Sequence, residues 1–182
     1  TDNQTKSVHN VTICHCRTSG FQCFTWSTSN ALQMSNWIIE YNVILNSYNS
    51  AAHHGGVINN NYGYMINRTI RYNLFEGGGN GATGVVETNN YHTDGDQIYG
   101  NIVKDMAVSN GIFTVGSTGF QERNAKVYNN TIINTTTAGG ISGPYPSPGG
   151  VFYNNLVYNM SADLGNSGWA HDYNAYFSTT NT

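Results

Sequence analysis

Six copies of one short phrase, apolar, any, any, Asn, any, apolar, run through this chain of 182 residues. A repeat of that kind restricts the fold more than any other property of the sequence, so it is read before any secondary structure. The clearest copy is Gln97-Ile-Tyr-Gly-Asn-Ile-Val103, and near-copies include Ile39-Glu-Tyr-Asn-Val-Ile44, Ile70-Arg-Tyr-Asn-Leu-Phe75 and Phe152-Tyr-Asn-Asn-Leu-Val157. Aligned on their Asn, the copies fall at Asn42, Asn73, Asn101, Asn130, Asn155 and Asn174. Cys14, inside Val11-Thr-Ile-Cys-His-Cys16, is taken as the first member, and the spacings are then 28, 31, 28, 29, 25 and 19 residues.

A second column lies between the Asn positions, where Gly56-Val57, Gly84-Val85, Gly111-Ile112 and Gly140-Ile141 each open a short apolar run. Runs this short, rich in β-branched and aromatic residues and bounded by Gly, Asn and Ser, read as strands. No stretch with a 3.6-residue period offers a helix. Each unit therefore holds at least two strands, and a unit of about 28 residues buries too little alone and must stack on its copies. Stacked copies sit ~4.8 Å apart in parallel register. The Asn column then becomes an internal ladder in which each amide bonds turn backbone and its copy one coil away. Ile39, Ile70, Ile98, Val127 and Phe152, with Ile44, Phe75, Val103, Ile132 and Val157, are expected to face inward.

Composition excludes several partners. Seven Lys and Arg against ten Asp and Glu, with a formal net charge of -3, leave no footprint for a phosphate backbone, so nucleic acid is not expected. No apolar run of ~18 residues offers a membrane span. A polar but weakly charged composition, with no charged-then-apolar leader at Thr1, suggests a mature or partial secreted chain. Sequons at Asn3, Asn10, Asn67, Asn129, Asn134 and Asn159 make it a candidate glycoprotein. Cys14, Cys16 and Cys23 could form one disulfide and leave one thiol, or stay reduced, and their spacing gives little reason to expect a metal.

The coil phrases Tyr-Asn-Asn and Asp-Tyr-Asn and the Gly-Gly-Ile opening resemble the right-handed parallel β-helix proteins of the pectate-lyase-like superfamily, over roughly Val11 to Phe177. The fold expected is all-β: a right-handed parallel β-helix, or solenoid, of about six coils with an internal Asn ladder. It forms one domain over residues 1–182, either alone or as part of a longer extracellular protein. The resemblance implies a lyase or hydrolase acting on an acidic polysaccharide, with Ca²⁺ as the cofactor of a lyase. The alternative is a non-catalytic structural or adhesive module that self-associates through uncapped coil ends into a filament.

Candidate site residues cluster in Glu87-Thr-Asn-Asn-Tyr-His-Thr-Asp-Gly-Asp96. Glu87, His92, Asp94 and Asp96 are the catalytic candidates, with Asn59 and Thr114 expected beside Glu87 on adjacent coils. In an extended segment Asp94 and Asp96 would share a face ~6.6 Å apart, within the separation used by inverting glycosidases. His92-Thr-Asp-Gly95 also resembles the Asn-Thr-Asp phrase of polygalacturonases, with Thr93 and Asp94 as the matching positions. Tyr99, Tyr128 and Tyr153 form an outward column that would stack as a ladder or serve as a sugar platform. His53-His54 reads as a turn pair and not as a metal site. Counting from each Asn also places four acids beside four bases: Glu40 with Arg71, Arg68 with Asp96, Asp94 with Arg123, and Glu76 with Lys104.

Overall fold

The computed structural model describes residues 6–21, 24–27, 32–48, 57–60, 63–80, 84–88, 93–108, 113–115, 122–135, 141–142, 149–160 and 169–177. His92, His53-His54, Cys23 and most of the proline-rich stretch 143–150 lie outside these residues. Among the described residues every element is a strand, of two to seven residues, and there is no helix.

The chain is an all-β parallel solenoid with an Asn ladder. One turn shows the plan: Tyr64–Ile66, Thr69–Arg71, Leu74–Asn80 and Val86–Thr88 each belong to a different sheet. Each strand inside a sheet pairs in parallel with its counterparts one turn before and one turn after, giving two seven-stranded and two five-stranded sheets among the described residues. Pairing of this kind supplies the partners that three-residue strands could not find alone. Four strands per turn exceed the two that the sequence makes plain. The extra ones, such as Thr93–Asp94, are too short and mixed in chemistry to show a period.

About six coils were expected, and the complete part of the solenoid amounts to about three turns. The turns of Asn42, Asn73 and Asn101 each hold four described strands and lie between turns that also hold four. Beyond them the rungs thin, and Ala170–Asp172 and Ala175–Phe177, the last described rung of their sheets, are exposed throughout.

All ten residues expected to face inward are buried, and with Val57, Ile58, Val85, Val86 and Phe113 they form one continuous core. Two registers differ from the sequence alignment. Arg17 pairs with Val43, so Cys16, and not Cys14, stands in the Asn column; Cys14 pairs with Glu40 one strand earlier. In the fourth sheet Ile141 pairs with Phe113, one residue away from the expected partner Ile112.

The Asn ladder holds the turns together. Asn101 Nδ2 donates to Asn130 Oδ1 at 3.0 Å and back to the Ile70 carbonyl at 2.9 Å, and its backbone N–H donates to the same Asn130 oxygen at 3.0 Å. Its own Oδ1 accepts from the backbone and side chain of Asn73 at 3.1 and 3.0 Å. The same arrangement recurs from Asn42 to Asn155, and Asn174 accepts the last pair of bonds. Each amide from Asn42 to Asn155 thus spans three turns, with donors and acceptors matched in a place closed to water. Replacing Asn101 or Asn130 by Leu is expected to cost about 1–3 kcal/mol, since neighbouring buried groups lose their partners. The same change at the half-exposed Asn174 should cost less. Urea denaturation of the three variants measures this, and equal stability to the parent at Asn101 would remove the ladder from the account.

Candidate functional site

Asp94 and Asp96, expected on one face, point to different sides of the chain. Asp94 ends a strand, Gly95 takes φ 75° at the corner, and the chain turns inward so that Asp96 is buried. Side-chain alternation along an extended segment predicted a shared face, and the corner between the first and second sheets cancels that rule. Gly95 is required there twice over. Its backbone is left-handed, and a Cβ would come within 2.7 Å of Asn67 Oδ1.

Asp96 pairs with Arg68, and both side chains are almost fully buried. Arg68 Nε, Asp96 Oδ1 and Thr93 Oγ1 are buried there without a hydrogen-bond partner among the described residues. A buried ion pair loses much of its Coulomb gain to desolvation, yet removing one member strands the other's charge. Asp96→Ala should therefore destabilise the fold by about 3–5 kcal/mol, whereas Arg68→Met with Asp96→Leu should be close to neutral. Chemical denaturation of the single and double variants tests this, and a double variant as unstable as the single would contradict it.

Asp94 remains half-exposed. Its Oδ1 accepts from Asn124 Nδ2 at 2.9 Å, while the expected partner Arg123 lies in register beside it without an ion pair among the described residues. These two residues line an open cleft of about 230 Å³ with Tyr64, Ile66 and Thr93. That is smaller than the roughly 300–1,000 Å³ of typical small-molecule sites, so it admits about one ring. Glu87 lies in the strand Val86–Thr88, in register with Asn59 and Thr114 as expected. The fourth sheet, which carries Glu87, is not the sheet of Asp94. Among the described residues there is no group of three His, Cys, Asp or Glu that could hold a metal ion.

The other two charge pairs form as expected. Arg71 Nε meets Glu40 Oε2 at 2.7 Å, and Lys104 Nζ meets Glu76 Oε1 at 2.9 Å. Arg71 also donates to Tyr99 Oη at 2.8 Å, and the Tyr99 and Glu40 bonds together raise its pKa above the ordinary value. Its guanidinium lies 5.7 Å from the Tyr72 centroid and 5.9 Å from that of Tyr99, within cation–π range.

Tyr99, Tyr128 and Tyr153 stack with centroids 4.8 and 5.1 Å apart and planes within 11°. Rings stacked this closely cover one another's faces and turn their edges to solvent. The column is therefore a stacked aromatic ladder. Burial is the main cause raising the Tyr128 pKa, ahead of repulsion from Tyr99 and Tyr153.

The ladder is also longer than the Asn alignment suggests. Tyr72 meets Tyr99 edge-on at 5.5 Å, Tyr41 stacks on Tyr72 at 5.2 Å, and His15 stacks on Tyr41 at 5.4 Å. Tyr41 and Tyr72 occupy the left-handed corner just before the ladder Asn, one column away from Tyr99. Gly100 fills the next corner, and the Tyr72 ring lies where its Cβ would be, 2.6 Å from Cε1. The stripe changes column at that glycine. The signal in the sequence was the loss of Tyr one residue before Asn101 where Tyr precedes Asn42 and Asn73. Gly100→Ala should cost about 1–3 kcal/mol from its positive φ and the clash together, with part of that cost relieved in a Tyr72→Ala background. Additive costs in a double-mutant cycle would rule the contact out.

The sequons have a local cause. Asn10, Asn67, Asn129, Asn134 and Asn159 all occupy left-handed corners, a conformation Asn tolerates better than most residues. In Asn10-Val-Thr12, Asn67-Arg-Thr69 and Asn129-Asn-Thr131, the Thr then opens the next strand. Neighbouring corner amides bond along the coil axis, as Asn159 does to Asn134 at 3.0 Å and Asn134 to Asp105 at 2.9 Å. Cys14 and Cys16 are exposed free thiols on the first turn.

Comparison of the chain with protein-family models, curated proteins and solved structures finds no match among them. No helix among the described residues is long and apolar enough to cross a membrane.

Proposed function

We propose that this chain is a non-catalytic structural or adhesive module of an extracellular protein, a rigid solenoid whose surface is organised by rung-to-rung pairing. The observation that carries this reading is the internal engagement of the groups that chemistry would need. Asp96 is buried against Arg68, Asp94 accepts from Asn124, Glu40 and Tyr99 both hold Arg71, and Glu76 holds Lys104. Such pairing fixes register and stiffness, and it leaves no two described carboxylates poised across a substrate bond. The extracellular placement rests on the low charge and polar composition.

A second reading, a lyase or hydrolase of an acidic polysaccharide within the right-handed pectate-lyase-like superfamily, draws on one feature. The cleft beside Asp94 sets an exposed Arg123 and the partly exposed Tyr64 around a space of about one sugar ring. Incubating the purified chain with pectin, alginate and chondroitin, and following absorbance of unsaturated products and release of reducing ends, separates the two. No product above the buffer control is expected. Turnover abolished by Asp94→Asn, with stability retained, would reverse the choice.

A further inference from the structure

The third sheet has an outward face unlike the others. On the second sheet the outward positions carry Glu40, Arg71, Gln97 and Lys126 beside the tyrosine ladder, and on the first Gln33, Asp94 and Arg123 are mixed with Tyr64 and Ile66. Along the third, Val43, Leu74, Ile102 and Leu156 share one column with Arg17 and Thr131, and Leu45, Ile133, Tyr158 and Phe177 share the next with Ser19, Glu76 and Lys104. Ile102 is 44% exposed, Leu156 40%, Tyr158 46% and Phe177 55%. Scattered apolar residues need no explanation, but eight of them in two adjacent columns form a patch of the kind that marks an interface. In its middle sits the Glu76–Lys104 pair, the acid on one rung and the base on the next.

We propose that this face binds a second copy of the same chain, the two solenoids lying face to face and antiparallel about a two-fold axis between the Glu76 and Lys104 rungs. The argument is self-complementarity. A two-fold axis running along the strands in the interface plane reverses rung order and keeps each column facing itself. Glu76 then opposes the partner copy's Lys104 position, and Lys104 opposes its Glu76 position. Leu74 meets the Ile102 position, Leu45 the Ile133 position and Val43 the Thr131 position, so the apolar contact is made by the four central rungs. Further out Leu156 meets the Arg17 position, Tyr158 the Ser19 position, and the Ala175–Phe177 rung extends past the contact. A two-fold axis along the solenoid would instead set each rung against itself, placing like charges on the same level, so the charge pattern selects the antiparallel arrangement. Outer faces of two sheets pack ~10 Å apart, a distance that branched aliphatic side chains fill. Seven rungs make the face roughly 30 Å tall, which places the contact toward the small end of specific interfaces and makes a concentration-dependent dimer the expected form.

Sedimentation velocity of the full chain over a wide concentration range tests the proposal, with far-UV circular dichroism checking that each variant is folded. A monomer–dimer equilibrium is expected. Ile102→Glu, an outward position, should weaken it tenfold or more. Glu76→Lys and Lys104→Glu should each weaken it, and the two combined should restore most of the dimer. Three results would overturn it: a monomer at every concentration, a dimer indifferent to Ile102→Glu, or a double charge swap no better than the single ones.

Discussion

The structure depends on pairing each polar group with its copy one turn away. A turn whose strands are mostly three residues long has almost no internal hydrogen bonds, so its backbone and corner groups must be satisfied by the turns on either side. The Asn42 to Asn174 ladder does this in the interior, with each amide up to Asn155 spanning three turns. Corner amides such as Asn36 to Asn10 and Asn159 to Asn134 do it outside. The aromatic stripe and the Glu–Arg and Glu–Lys pairs repeat the rule with other chemistries. Stability is therefore close to a sum of neighbour terms, and a turn flanked on both sides is worth more than one at an end.

That rule also explains why the surface is poor in free reactive groups. A residue in a column has a partner at about one rung's distance, so an isolated carboxylate or base is uncommon. Asp94 and Arg123 are an exception in part: they stand in register, but Asn124 takes the carboxylate and leaves the guanidinium exposed. The third sheet is the other departure, since its outward columns set aliphatic and aromatic residues around the Glu76–Lys104 pair.

Much of the fold could be read from the sequence because its period is written in residue identity. The Asn positions and the ten inward apolar residues follow from counting. Charge pairs across turns also follow, because parallel pairing makes register and sequence offset the same quantity. What counting could not supply was the direction of a side chain at a corner. Asp96 and Asp94 differ by two residues and so should share a face, yet Gly95 turns the chain between them. Tyr72 and Tyr99 fall in different columns and nonetheless touch, because Gly100 leaves the space. Cys16 replaces Cys14 in the Asn column because the first turn is two residues shorter than the alignment assumed.

The sequence by itself determined that this chain stacks equivalent strands around an Asn-lined interior, since no other arrangement satisfies a polar residue recurring at the same place in each apolar unit. Only the tertiary structure decided which polar residues are buried and which are exposed. A left-handed corner costs little at Gly or Asn and reorients everything after it. Its effect on the Arg68–Asp96 pair, sealed inside while Asp94 stays at the surface, arises from backbone geometry that residue identity two positions away does not encode.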